Sequence, residues 1–182
     1  MDTRPRTQTG FTLLELLMTI AVAAIVTMIA VPSFRYVTNS NRIAGEVNGL
    51  LGDLQFARSE AIKEGRNVTV CVSTSGAGCT GGTAWKNGWI VFSDQGTVGT
   101  FDGGGVDTLL RVQPTFSGTD SFAASNTVSV ITFNREGYAT GIAAGTLITL
   151  HDSTNTTAWT RCLSITFNGM MSSLKYDGVT CN

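Results

Sequence analysis

The sequence contains little charge, little proline and almost no histidine. Only 14% of its 182 residues are charged, the net charge is −1, and there are 3 prolines and 1 histidine, His151. A protein that binds nucleic acid through bulk charge would be basic, so this class is disfavoured. A zinc site built on several imidazoles is excluded. Disorder is also disfavoured, because 42% of the residues are hydrophobic.

Motifs for catalysis are equally scarce. No G-x-S-x-G motif occurs, and the G-x-G-x-x-G pattern at 76–81 lacks the strand–helix context of a dinucleotide site. His151, Asp152 and Ser153 are adjacent, and residues this close in a chain rarely converge as a catalytic triad does, so a surface turn is expected there. We expect no enzyme activity, no cofactor and no metal centre.

One long apolar segment dominates the amino-terminal region. Residues 11–31 form a 21-residue run of which 17 are apolar. As a helix this run is about 31 Å long, which matches a bilayer core. Arg4 and Arg6 precede it, and no small-residue cleavage site follows Val31. The pattern predicts a single membrane-spanning helix with its amino terminus in the cytoplasm.

Glu15 is an unusual residue for such a helix. An ionised carboxylate costs about 2.5–3.5 kcal/mol at the centre of a membrane helix, so it normally has a partner. No other charge lies within the run. Cleavage after Gly10 would make Phe11 a free amino terminus, and the ammonium of a neighbouring subunit could then pair with Glu15.

The segment from Gly10 to Leu17, Gly-Phe-Thr-Leu-Leu-Glu-Leu-Leu, resembles the leader junction of type IV prepilins and pseudopilins. This resemblance implies that a prepilin peptidase removes the leader, residues 1–10, and methylates the new terminal Phe11. It also implies that Glu15 acts in filament assembly and that the apolar helix is first an inner-membrane anchor and later part of a filament core.

The helical pattern resumes after Pro32, which is expected to kink the helix. An amphipathic segment is predicted for 32–65, and a polar face opposite its apolar one carries Arg42, Glu46, Asp53, Arg58 and Lys63. Gly65 is a plausible helix end. The apolar face consists of Ile43, Val47, Leu50, Leu54, Ala57 and Ala61.

Residues 66–182 are predicted to form a periplasmic β domain. Short β-rich runs without intervening helices indicate antiparallel sheets and an α+β fold, and Asn168-Gly169 predicts a hairpin turn. Loops are predicted at 73–84, 94–107 and 117–127. Strands are predicted at 68–72, 89–92, 109–112, 128–133, 147–150, 162–167 and 172–176.

This layout resembles the GspH/FimT family of minor pilins and minor pseudopilins. The residues that carry the resemblance lie at 54–61, 85–92 and 131–134. It implies a pilin-like fold, a long helix packed on antiparallel sheets, and partners among other minor and major pilins or pseudopilins. Trp85 and Trp89 are expected to pack in the core or in loops.

All four cysteines follow the apolar run, on the side predicted to be oxidising. Three connectivities are possible, and short loops favour Cys71–Cys79 and Cys162–Cys181. Asp102 and Asp107 flank a glycine-rich stretch that could bind calcium through oxygen ligands. That stretch lacks a recognisable ligand pattern, so a solvated loop is favoured.

Three functions remain open: assembly of a type IV pilus, which is favoured, a type II secretion pseudopilus, and DNA binding in natural transformation. From Phe11 onward the chain has ten basic and twelve acidic residues. DNA-binding relatives are expected to carry Gly-Arg-x-Arg near the carboxyl end, whereas 168–171 read Asn-Gly-Met-Met. The nearest substitutes for the missing arginines are Arg135, Arg161 and Lys175, and DNA binding is therefore not favoured.

Overall fold

The computed structural model describes residues 10–143 and 146–181. The predicted leader, apart from Gly10, lies outside the described residues, and so do Arg4 and Arg6. The chain divides between Asn39 and Ser40 into two units. Each unit is described by itself below.

A single helix, α1 (Leu13–Glu64), contributes to both units: its residues up to Asn39 belong to the first unit and those from Ser40 onward to the second. Thr12 caps its first turn, because the Thr12 hydroxyl accepts the backbone N–H of Glu15 at 3.2 Å. The helix therefore begins two residues after the predicted start at Phe11. Helical backbone continues through Pro32, and the kink at this residue stays a prediction.

In the second unit, one face of α1 packs in the hydrophobic core. Its buried residues are Ile43, Val47, Leu50, Leu54, Ala57 and Ala61, the same six that the sequence spacing places on the apolar face. The helix ends where Gly65 adopts a left-handed backbone with φ of +69° and its N–H reaches the Ala61 carbonyl. This geometry confirms the predicted helix end.

Two antiparallel sheets complete the second unit, which gives the α+β fold expected. The first has the strand order β3-β2-β1-β5-β6 and the second β4-β7-β8-β9. The strands are β1 (Asn67–Val72), β2 (Trp89–Asp94), β3 (Thr108–Gln113), β4 (Ser121–Ala124), β5 (Val130–Phe133), β6 (Ala139–Thr140), β7 (Thr146–His151), β8 (Arg161–Ile165) and β9 (Met171–Lys175).

Several predicted boundaries are wrong. Strand β4 lies inside 117–127, which the sequence assigned to a loop, and β6 was not predicted at all. β4 has a single large apolar side chain, Phe122, and forms because it pairs with β7. β5 begins at Val130 rather than 128, β8 ends at Ile165 rather than 167, and β9 lies one residue earlier than expected.

Two tryptophans of the second unit, Trp85 and Trp89, belong to the core, as expected. Trp85 and Trp89 are both fully buried. The Trp85 indole N–H donates to the Val128 carbonyl at 3.1 Å. The Trp89 ring lies 5.6 Å from Phe116 and 6.3 Å from Phe122, measured between centroids. These rings belong to one hydrophobic core with the buried residues of α1 and of both sheets.

Two disulfides join Cys71 to Cys79 and Cys162 to Cys181. This is the pairing that short loops favoured among the three possibilities. The first closes the loop after β1. The second ties the carboxyl-terminal segment to β8, because Cys162 belongs to that strand. Cys181 also forms an isolated β-bridge with Tyr176.

Candidate assembly surfaces

The amino-terminal junction is fully accessible in the first unit. The Phe11 side chain is 82% exposed, and Gly10 has open space where a side chain would begin. Glu15 lies on the exposed first turn of α1 and makes no ion pair with any residue of the described part of the chain. The junction is thus available to a peptidase, and Glu15 is available to another molecule.

Between Phe11 and Val37 the chain, which is helical from Leu13, presents apolar side chains to its surroundings. The helix is long and apolar enough to cross a membrane. Two threonine hydroxyls in this segment bond to the helix backbone: the Thr19 hydroxyl donates to the Leu16 carbonyl at 2.8 Å and the Thr27 hydroxyl donates to the Ala23 carbonyl at 2.9 Å. Such self-satisfied hydroxyls are compatible with an apolar environment.

The candidate DNA contacts do not form one basic surface. Arg161 and Lys175 are directly opposite one another on β8 and β9, and Arg161 donates to the carbonyls of Ala158 and Thr160. Arg135 lies in the β5–β6 turn and pairs with Glu136 at 2.7 Å. The hydrogen bond from Arg135 lowers the pKa of Glu136, and Arg135 therefore has an acidic neighbour on the surface.

The loop with Asp102 and Asp107 is largely exposed to solvent, at 95–98 and 103–106, as favoured, but it also contains a buried carboxylate. Asp107 is buried, and its carboxylate accepts the backbone N–H groups of Gln95, Gly96 and Asp102. Asp102 accepts the N–H of Thr97 at 2.6 Å. The backbone N–H groups of the loop thus occupy these carboxylate oxygens, and the two aspartates hold the loop in its conformation. Among the described residues, no group of three or more His, Cys, Asp or Glu side chains is placed to hold a metal.

Asp152 anchors the turn that follows β7. Its carboxylate accepts the N–H of Thr156 and the hydroxyls of Thr154 and Thr156. Burial raises its pKa, but these hydrogen bonds outweigh burial and leave the pKa below its usual value. His151 contacts the Asp152 carbonyl rather than its carboxylate. The three adjacent residues therefore form a turn, without the geometry of a triad.

Arg58 makes long-range contacts that sequence analysis did not predict; it placed this residue on the polar face of the helix and within the stretch 54–61 that carries the family resemblance. Its Nε donates to the Gly137 carbonyl at 2.9 Å, and its Nη2 donates to the Asn168 carbonyl at 3.4 Å. These carbonyls belong to the β5–β6 turn and the β8–β9 turn. Arg58 therefore holds one turn from each sheet against the end of α1. The partners lie 79 and 110 residues away along the chain, so no local pattern could reveal them.

Comparisons with known proteins bear on these surfaces. The family model described as "Type II transport protein GspH" matches residues 46–169. The model described as "Prokaryotic N-terminal methylation motif" matches residues 5–31, which include Gly10, Phe11 and Glu15. No curated protein sequence matches the chain.

Solved structures with the same fold include two crystal forms of the type IV minor pilin FimU from Pseudomonas aeruginosa. The first superposes with a TM-score of 0.55 at 20% sequence identity, covering 82% of this chain and 96% of FimU. The second gives a TM-score of 0.54 at 20% identity, covering 78% and 96%. At this identity the similarity establishes the fold.

Proposed function

The chain belongs to the GspH family of pilin-like proteins, and from this premise we propose that it is a minor pilin that takes part in assembling a type IV pilus, in a priming or tip complex. The observation that carries the proposal is the junction at Gly10 and Phe11, which opens an exposed apolar helix and matches the methylation motif. The chain acts as a structural subunit, without a catalytic step. Its partners are other minor and major pilins.

Processing and orientation are part of this proposal. Prepilin peptidase cuts after Gly10 and methylates the amino group of Phe11. Before assembly the helix over 11–31 spans the inner membrane, with Arg4 and Arg6 on the cytoplasmic side. The β domain, residues 66–182, then lies in the periplasm. The disulfides Cys71–Cys79 and Cys162–Cys181 support this placement, because disulfides persist in oxidising compartments.

Glu15 links processing to assembly. Its carboxylate has no ion-pair partner in the described part of its own chain, so a charge from another subunit can compensate it. The amino group created at Phe11 supplies such a charge. An unpaired carboxylate in an apolar filament core is costly in free energy. Pairing Glu15 with the amino group of Phe11 removes this cost and so stabilises the docked subunit.

Replacing Glu15 tests this role directly. Glu15→Ala should leave cleavage after Gly10 intact, since the scissile bond is unchanged, but should reduce incorporation into filaments at least tenfold. Immunoblots separate precursor from mature chain, and the sheared filament fraction reports incorporation. Thr19→Ala is the matched control one turn away, because the Thr19 hydroxyl bonds only to its own helix. Normal incorporation of Glu15→Ala would refute the charge pairing.

A type II secretion pseudopilus is the second candidate, since the matching family model is described as a type II transport protein. Here the chain would be a minor pseudopilin with the same processing and the same use of Glu15. Secretion of folded enzymes, measured beside surface piliation in a deletion strain, distinguishes the two systems. DNA binding is the third alternative, and it is the least supported because the Gly-Arg-x-Arg motif is absent and Arg135 pairs with Glu136.

A further inference from the structure

Four large apolar side chains lie exposed near the end of α1, and we call them the apolar patch: Ile62, Tyr138, Phe167 and Met170. These residues are 51%, 48%, 67% and 65% exposed. Ile62 belongs to α1, Tyr138 follows the β5–β6 turn, and Phe167 and Met170 flank the β8–β9 turn. A clustered patch of this kind is typical of a protein interaction site, whereas scattered exposed apolar residues carry no such meaning.

A hydrogen bond and close packing between two turns fix the backbone that carries the apolar patch. The Ala139 N–H donates to the Phe167 carbonyl at 2.8 Å, which joins the two sheets at this point. The rings of Tyr138 and Phe167 are nearly parallel, at 9°, with centroids 6.4 Å apart. The two turns are so close that a side chain added at Gly169 would collide with the Gly137 carbonyl oxygen. The exposed rings are thus positioned in advance, which lowers the entropic cost of binding.

A groove of about 460 Å³ lies beside the patch, between α1 and the β8–β9 turn. It is lined by Gln55, Arg58, Ser59, Ile62, Gly169, Met170 and Met171. The Arg58 guanidinium has five N–H donors and gives one each to Gly137 and Asn168. Within the described residues no carboxylate pairs with it. The groove therefore combines apolar walls with a partly buried, unneutralised cation.

We propose that the apolar patch and the Arg58 groove dock a neighbouring subunit of the same filament, through a segment that places an apolar side chain beside a carboxylate. The apolar side chain packs on Phe167 and Met170, and the carboxylate accepts the free N–H groups of Arg58. Aromatic, methionine and arginine side chains together are characteristic of the centres of protein interfaces. This inference rests on the proposed function, because it takes the partner from the filament.

The chemistry of the surface favours a protein over a nucleic acid. Phosphate backbones are bound by several cations acting together. Among the described residues beside the patch, Arg58 has no carboxylate partner, whereas Arg135 in the nearby turn pairs with Glu136. Two exposed rings and a methionine would gain most from burying an apolar side chain.

Site-specific photo-crosslinking of the full-length chain in its host tests the proposal. p-Benzoylphenylalanine at Met170 should give a light-dependent adduct with another pilin-like subunit, at least tenfold stronger than the same probe at Val179. Val179 is the matched control because it is 85% exposed on the carboxyl-terminal loop, outside the patch. Mass spectrometry of the adduct should map the contact to a partner peptide that contains Asp or Glu next to an apolar residue.

A second variant tests the patch itself. With the probe kept at Met170, Phe167→Ser should lower the adduct at least fivefold, while Val179→Ser should leave it unchanged. Both replaced side chains are exposed, so neither variant removes core packing. The proposal is overturned by equal adducts at Met170 and Val179, by adducts only with lipid or DNA, or by a partner peptide without a carboxylate.

The outcome separates the docking surface from the proposed function. If deletion of the chain leaves piliation unchanged, the pilus assignment fails. An adduct with a pseudopilin would then still establish the docking surface. If deletion removes pili but the Met170 probe gives no adduct with a subunit, the pilus assignment stands and the docking surface is refuted.

Discussion

Asp53 connects helix α1 to two strands through a single carboxylate. Its Oδ2 accepts the Trp89 indole N–H at 2.8 Å, and its Oδ1 accepts the Arg111 Nη1 at 2.8 Å. The Arg111 guanidinium also lies 3.7 Å from the centroid of the Phe56 ring. Although Asp53 belongs to the polar face of the helix, its contacts are with the β domain rather than with solvent alone.

Asp53→Ala should lower the free energy of unfolding by about 1–3 kcal/mol, because it leaves the buried Trp89 N–H without an acceptor. Asp53→Asn is the control: the amide oxygen keeps an acceptor for Trp89, so the loss should be smaller. Urea unfolding of the full-length chain in detergent, followed by tryptophan fluorescence, measures both. Equal losses for the two variants would contradict the role of the hydrogen bond to Trp89.

The surroundings of Glu46 disfavour the ionised form of its carboxylate. Burial raises the pKa of Glu46 above 4.5, the nearby Asp120 carboxylate raises it further, and Arg42 lowers it. Arg42 itself pairs with Asp120 at 2.9 Å. An ionised Glu46 therefore destabilises the folded state at neutral pH, and this cost disappears as the pH falls below the usual pKa of glutamate.

Glu46→Gln should therefore raise the melting temperature at pH 7 and have little effect at about pH 4 or below, where the wild-type Glu46 is largely protonated. Thermal unfolding of the detergent-solubilised chain at both pH values measures this difference. Glu60→Gln serves as a comparison, since the Glu60 carboxylate pairs with Lys63 instead of lying beside another carboxylate. A stabilisation by Glu46→Gln that is the same at both pH values would contradict this account.

At the level of the elements, the spacing of neighbouring residues was enough to predict the buried face of the helix and several strands. The 4-3-4-3-4 spacing from Ile43 to Ala61 predicted the buried face of α1, and β-branched runs predicted β1 and β2. Strand β4 was missed because Ser-Phe-Ala-Ala has little strand propensity and forms through pairing with β7. The contacts of Arg58 and Asp53 join distant parts of the chain, and a helical period cannot predict them.

The β8–β9 turn should tolerate no side chain at Gly169. Its φ of +75° is strained for other residues, and a Cβ there would meet the Gly137 carbonyl oxygen. Gly169→Ala should cost about 1–3 kcal/mol or more and loosen the apolar patch. Gly103→Ala is the control, since its Cβ would meet nothing within 4 Å. Unfolding curves in urea compare the two, and equal stability would refute the close contact of the turns.

For the molecule as a whole, the sequence indicated two parts with different surroundings, and the structure has two units divided between Asn39 and Ser40. The first unit exposes an apolar helix, and the second buries a core of its own. The class of protein followed from a short junction, Gly10-Phe11 with Glu15. The docking surface did not, because its residues come from α1 and from turns of both sheets.

The proposed role in a priming or tip complex predicts that this chain affects assembly out of proportion to its amount. The central claim is that filament assembly requires this chain. The most direct test is a count of sheared surface pili in a deletion strain, with and without complementation by the full-length chain. The account predicts that pili are lost and that complementation restores them. An unchanged number of pili in the deletion strain would contradict it.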